Sequence, residues 1–289
     1  MGKVLAAYLA PSVLVTITGL TTNLLSLSYF VTQRKQNDRL VKTASLNRKL
    51  FILLNVFDII VCTSVSAMLF SIVLDGEMGR VAQSVFNVAV QCTGFITCLL
   101  CMVRTVSIIC PHYPVNTKVL FVAFTCFCLL MIALETHNPK GEKIRYAKFI
   151  TILLMFAIVI FSNILCILKL ASSQLASWKR EATITIAILS FIYCALNTGF
   201  LVVFGIHIFK CKSKNKLKFC VNPTFEVISP LVLLPLNSAC NPIVYFIRNV
   251  EMRKYMTKIV RKVSGMCTCT STKSGENVNT STKESVLQS

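Results

Sequence analysis

Few side chains in this sequence stand where they could do chemistry. Asp58 is a lone carboxylate inside an apolar run, Leu53-Leu54-Asn55-Val56-Phe57-Asp58, and such a group needs a partner or a cation to be tolerated there. Arg104 ends another apolar run, where an arginine either engages a partner or snorkels to the interface. Asn241-Pro242 interrupts a third run, and a proline there kinks a helix and frees a carbonyl that neighbours must satisfy. Nine of the fourteen cysteines (Cys62, Cys92, Cys98, Cys101, Cys126, Cys128, Cys166, Cys194 and Cys240) lie in apolar blocks, where a thiol is a small hydrophobe. Cys211, Cys220, Cys267 and Cys269 stand outside them. Neither a histidine cluster nor a nucleophile–base pair occurs in the apolar blocks, so a membrane enzyme is the least supported class.

The elements that must position these residues are membrane helices. The chain has 289 residues, 55 % hydrophobic and 14 % charged, with a mean hydropathy of +0.70. Its apolar residues fall in blocks of roughly 20 or more, the length a helix needs to cross ~30 Å of hydrocarbon. An ordinary soluble enzyme, a disordered protein and a small secreted scaffold are excluded by that pattern. The net charge of +19 would suggest nucleic acid, but the Lys and Arg sit mostly between apolar blocks, so no nucleic-acid partner is expected.

Crossings are expected near 4–31, 50–74, 81–109, 119–134, 146–170, 182–209 and 225–247. The fourth is the shortest, ~24 Å at 1.5 Å per residue, with extension through the polar residues of Pro114–Lys118 or Glu135–His137 as the alternative. The first block is too long for a cleavable signal peptide, and Gly2 lacks the hydroxyl residue at position 6 that myristoylation favours. After the seventh block, Met252, Tyr255, Met256, Ile259 and Val260 recur on one helical face, with Glu251, Arg253, Lys254, Lys258, Arg261 and Lys262 on the rest. This basic amphipathic helix suits an anionic lipid surface. The expected organisation is an all-α, polytopic seven-helix bundle over 1–248, an interfacial helix over 249–262 and a disordered Ser/Thr-rich tail over 263–289.

Placing the N-terminus outside and the C-terminus in the cytoplasm puts nineteen of the 30 Lys and Arg on the inner side, as the positive-inside rule asks. Cys211 and Cys220 then bracket an outer loop in an oxidising compartment, where a disulfide is a candidate. Lys210, Lys212, Lys214, Lys216 and Lys218 crowd the same loop. They form either a solvated loop or an electrostatic funnel for an acidic ligand, a peptide or a lipid headgroup. Cys267 and Cys269 follow the interfacial helix, as palmitoylation candidates or free thiols. The tail's serines and threonines offer kinase sites, whose phosphates would make a surface for arrestin.

The run Leu236-Asn237-Ser238-Ala239-Cys240-Asn241-Pro242-Ile243-Val244-Tyr245-Phe246 resembles the NSxxNPxxY motif of rhodopsin-like G-protein-coupled receptors. Val103-Arg104-Thr105 with Pro111 is similar to their E/DRY…P pattern, and Phe191-Ile192-Tyr193-Cys194-Ala195-Leu196-Asn197 to FxxCWxP. The resemblance covers residues 4–262 and implies a plasma-membrane receptor that promotes nucleotide exchange on a heterotrimeric G protein. It requires no cofactor. It assigns coupling and activation to Arg104, Asn241, Pro242 and Tyr245. It also implies a sodium pocket of Asp58, Thr93, Asn237, Ser238 and Asn241, with Asn23 bonded to the aspartate. The alternative for that pocket is a protonated Asp58 bonded to Asn241, with no ion.

Several positions depart from the family pattern. Val103 replaces the acid beside Arg104, which predicts a weak inactive lock and basal activity. Ala195 and Asn197 replace the tryptophan and proline of the sixth helix, and no cysteine stands at either position of the usual disulfide. The missing bridge, the short second outer loop, the fifth helix without proline and the third-loop cysteines are similar to the melanocortin-type branch. Phe86 stands where amine receptors carry aspartate and Pro235 where opsins carry lysine, so neither ligand class is expected. Gln83, Phe86, Asn87, Thr198 and His207 are candidates for the ligand cavity. The rival reading is a non-signalling receptor-like scaffold or decoy that dimerises with other receptors. A transporter or channel using Asp58 is opposed by the odd crossing number and the lack of an internal repeat.

Overall fold

A computed structural model describes residues 2–36, 42–74, 78–110, 115–137, 142–172, 177–210 and 232–269. All eight elements within them are helices: α1 (Gly2–Gln36), α2 (Lys42–Leu74), α3 (Met78–Ile109), α4 (Thr117–His137), α5 (Glu142–Ser172), α6 (Ser177–Lys210), α7 (Leu234–Arg248) and α8 (Val250–Cys269). Five of them, α1 to α5, are long and apolar enough to cross a membrane. Of the other two expected crossings, the sixth falls within the continuous helix α6, Ser177–Lys210, and the seventh is described only in part. The apolar stretch in α6 covers Thr183–Gly199, and α7 is described over 15 residues. Residues 211–231, which would complete the seventh, lie outside the described part.

The fourth helix takes the longer form that its flanking polar residues allow. Its apolar span runs Thr117–Thr136, because Thr117 and Lys118 at one end and Glu135 and Thr136 at the other continue the helix. Asn116 starts it, with Oδ1 accepting from the Lys118 and Val119 amides at 3.0 and 3.4 Å; an asparagine in that role satisfies donors the first turn leaves open. The interfacial helix is longer than expected, since α8 continues to Cys269 rather than ending at 262. Cys267 and Cys269 therefore sit in its last turn, not in the tail; their side chains and residues 270–289 lie outside the described part.

The inside-out character of α1 shows what holds this bundle together. Ser12, Thr16, Gly19, Asn23 and Ser26, spaced by three or four, are buried. Val13, Leu14, Ile17, Leu24 and Val31 are exposed. In hydrocarbon an exposed leucine loses nothing, so helices associate through close packing of small residues and interhelical hydrogen bonds. Gly19 shows the small-residue rule: a Cβ there would lie 2.7 Å from Cys62 Sγ and 3.5 Å from Ala239 Cβ, so glycine lets α1 sit against both α2 and α7.

Helix α3 is the hub, with 67 % of its apolar span buried against 17 % for α4. It packs on α2, α4, α5 and α6, while α7 packs on α1, α2 and α6. Leu50, Leu54, Leu99, Leu100, Val103, Val244 and Tyr245 form the core toward the α8 end. Val61, Val65, Leu69, Phe86 and Leu234 fill the opposite end. The chain turns from α7 into α8 at Asn249, whose backbone is extended and whose N–H bonds to the Tyr245 carbonyl at 2.8 Å. Its Oδ1 accepts from the Met252 amide at 3.1 Å, so one residue ends the first helix and caps the second. Met252 is buried, and Tyr255 of α8 meets Ser28 of α1, hydroxyl to hydroxyl, at 2.8 Å.

Candidate functional site

Asp58 lies on the buried face of α2 with Leu54, Val61, Cys62 and Val65, the positions three, four and seven residues away. Its carboxyl is fully buried, and Asn241 Nδ2 of α7 donates to Oδ2 at 2.8 Å. Ser238 and Thr93 face the same carboxyl from α7 and α3. Among the described residues, Asp58 Oδ1, Thr93 Oγ1 and Asn237 Oδ1 are buried without a hydrogen-bond partner. Four of the five residues expected in this pocket thus meet at one carboxyl. The fifth, Asn237, is buried beside Ser238 in the chain.

Asn23 does something other than the sequence suggested. Its Nδ2 donates to the carbonyls of Gly19 at 2.8 Å and Ser238 at 3.0 Å, not to Asp58. Ser238 is four residues before Pro242, whose ring has no N–H to give that carbonyl. The α1 amide replaces the missing donor, so the break in α7 is satisfied by another helix.

At the α8 end, Arg104 is buried rather than snorkelling, and its Nε donates to Thr183 Oγ1 of α6 at 2.7 Å. The restraint that Val103 cannot supply along α3 comes from across the bundle. The next residue, Thr105, donates to the Ser162 carbonyl of α5 at 3.2 Å and lies 3.3 Å from Cys166 Sγ. Two adjacent α3 residues therefore tie that helix to both α6 and α5. Tyr245 packs edge-on to Phe51, with centroids 4.7 Å apart, and to Phe30 at 5.7 Å. A cavity of about 10 Å³ lies between the two polar sites, lined by Asn241, Thr97, Cys101 and Ser190 among leucines and an isoleucine. It has room for about one water.

Helix α6 is continuous where the family would carry proline. Asn197 donates through Nδ2 to the Tyr193 carbonyl at 2.8 Å, adding a bond where a proline would remove one. Tyr193 itself lies so close to α3 that a Cβ on Gly94 would meet its hydroxyl at 2.5 Å.

Among the described residues, the ligand candidates do not converge. Phe86 is core, packed with Val61, Val65 and Leu234. Gln83 and Thr198 are exposed, and Thr198 bonds its own helix at the Cys194 carbonyl, 2.6 Å away. The His207 side chain and both Cys211 and Cys220 lie outside the described residues. Asn87 alone joins a polar group: its Nδ2 donates to Glu135 Oε1 at 3.0 Å, and Glu135 Oε2 pairs with Lys148. Sequence reasoning missed Glu135, Lys148 and Thr183. Lys148 left a signal, a lysine inside the fifth apolar block; Thr183 left none, because hydroxyls are common in such helices.

No protein-family model matches this chain, and it has no match among curated proteins.

Proposed function

We propose that this chain is a rhodopsin-like seven-helix receptor of the plasma membrane, N-terminus outside, that promotes nucleotide exchange on a heterotrimeric G protein. The observation that carries the reading is the joint between α2 and α7. Asp58 bonds Asn241, and the carbonyl freed by Pro242 is taken by Asn23, within a run that resembles NSxxNPxxY. A polar joint in hydrocarbon has few satisfied arrangements, which suits an element that switches between discrete states rather than deforming smoothly. The two ends that must communicate are the outer loops and the face carrying Arg104.

The mechanism is a population shift. In the arrangement described, Arg104–Thr183 holds α6 on α3, and Tyr245 packs between Phe30 and Phe51. A ligand that favours separation of α6 from α3 would free Arg104 for the G protein and release Tyr245. The pocket also suits Na⁺, because its unpartnered buried oxygens are hard donors. Asp58, Thr93 and Ser238 would hold the ion with Asn237 and Asn241, and it would supply the positive charge that an ionised Asp58 otherwise lacks. A phosphorylated tail would engage arrestin, and α8 would lie on anionic lipid.

The second reading, a non-signalling scaffold or decoy that dimerises with receptors, is favoured by the unbroken α6 with Ala195 and Asn197. Ligand-free G-protein activation in cells, measured for every G-protein class at matched surface level, separates the two. The receptor reading expects a basal signal that Arg104→Ala abolishes, or a signal that appears in Thr183→Ala. Background signal from the wild type and from Thr183→Ala, across every class, would move the assignment to the scaffold.

A further inference from the structure

Near the end of the bundle opposite α8, three helices meet at charged groups. Glu135 at the end of the α4 span and Lys148 near the start of the α5 span form an ion pair with side chains only 6 % and 9 % exposed. Asn87 of α3 donates to the other Glu135 oxygen. A pair of leucines would hold α4 to α5 at least as well, because burying two charges costs about as much as their attraction returns. Ionisable residues turned into a membrane bundle therefore call for a role beyond packing.

The polar groups continue along α3. Gln83, Asn87 and Gln91 are spaced by four and share one face. Gln83 is exposed, and Gln91 is buried with Oε1 lacking a hydrogen-bond partner among the described residues. Gln91 lies one helical turn from Asn87 on that face, and side chains on a helix characteristically lean toward its N-terminus, here the Asn87 side. The group thus holds two acceptors, the Glu135 carboxylate and Gln91 Oε1, and two donors, Lys148 Nζ and Asn87 Nδ2.

We propose that Asn87, Gln91, Glu135 and Lys148 form a binding site for a small zwitterion of the α-amino-acid class. The ligand ammonium would take Glu135 and Gln91 Oε1, and its carboxylate would take Lys148 and Asn87. Charge balance selects this class. A ligand that parts Glu135 from Lys148 must replace both partners, since a single charge would leave the other residue buried and unpaired. The assignment deepens the receptor reading and rests on it for an entrance at the outer face. Occupancy is measured apart from coupling, so either can fail alone.

The test uses the purified full chain in detergent, with thermal unfolding read against a panel of the standard amino acids. Their N-acetylated and carboxamide counterparts, each lacking one charge, are run beside them. At least one amino acid should raise the unfolding midpoint of the wild type while neither of its counterparts does. Glu135→Met/Lys148→Met, which removes both charges together, should lose that shift. Asn87→Ala, which keeps the ion pair, should weaken the apparent affinity by about tenfold. No shift of the wild type by any amino acid overturns the site, and so does a shift that the singly charged counterparts match. A shift that survives in the double variant, or is unchanged in Asn87→Ala if the double variant does not fold, also overturns it.

Discussion

Asn23 Nδ2 of α1 lies 3.0 Å from the Ser238 carbonyl of α7, the one that Pro242 deprives of its helical donor. The two residues are 215 positions apart, and the bond joins the first helix of the bundle to the last. It makes the hydrogen bonding of α7 at Pro242 a property of two helices.

Replacing Asn23 with leucine should therefore expose an unsatisfied carbonyl and destabilise the protein by about 1–3 kcal/mol. The same change should cost less in a Pro242→Ala background, where the residue-242 amide again serves the Ser238 carbonyl. Thermal unfolding of the four proteins in a double-mutant cycle measures that coupling. Additive costs would mean that Asn23 does not act through the freed carbonyl.

Asp58 has one oxygen bonded to Asn241 and one without a partner among the described residues. If the pocket takes Na⁺, sodium should raise the unfolding midpoint of the wild type relative to an equal concentration of N-methylglucamine. Asp58→Asn should abolish the difference, because it keeps the shape and removes the charge. Equal midpoints in the two salts would favour the alternative, a protonated Asp58 held by Asn241 without an ion.

Arg104 reaches α6 through Thr183. Removing that hydroxyl in Thr183→Ala should raise ligand-free G-protein activation at matched surface expression, by roughly the fivefold to tenfold that a hydrogen bond of about 1 kcal/mol or slightly more represents. Thr183→Ser keeps the hydroxyl and should stay near the wild-type level. A serine variant as active as the alanine variant would show that the methyl group, not the bond, restrains α6.

Gly94 lets the Tyr193 ring approach α3. A Cβ at residue 94 would stand 2.5 Å from the Tyr193 hydroxyl and 3.4 Å from its ring carbon. Gly94→Ala should lower the unfolding midpoint, with an overpacking cost of about 1–3 kcal/mol. Tyr193→Phe removes the clashing oxygen and should restore most of that loss in the double variant. An unaffected midpoint in Gly94→Ala would mean that α6 yields at little cost.

The length and spacing of apolar blocks made the membrane helices legible, because hydrocarbon leaves a backbone few structures other than a helix. The periodicity of Met252, Tyr255, Met256 and Ile259 likewise foretold α8, though not its continuation to Cys269. Residue types alone pointed to Asp58, Asn241 and Arg104, since polar groups in apolar runs need partners. Which partners they take was decided only by tertiary packing. Asn23 was expected on Asp58 and serves Ser238; Arg104 was expected to lack a restraint and has Thr183; Asn87 meets Glu135 and Lys148 from two other helices. Helical spacing specifies the face on which a side chain sits, whereas its neighbours depend on the rotation and depth of other helices, set by close approaches such as those at Gly19 and Gly94.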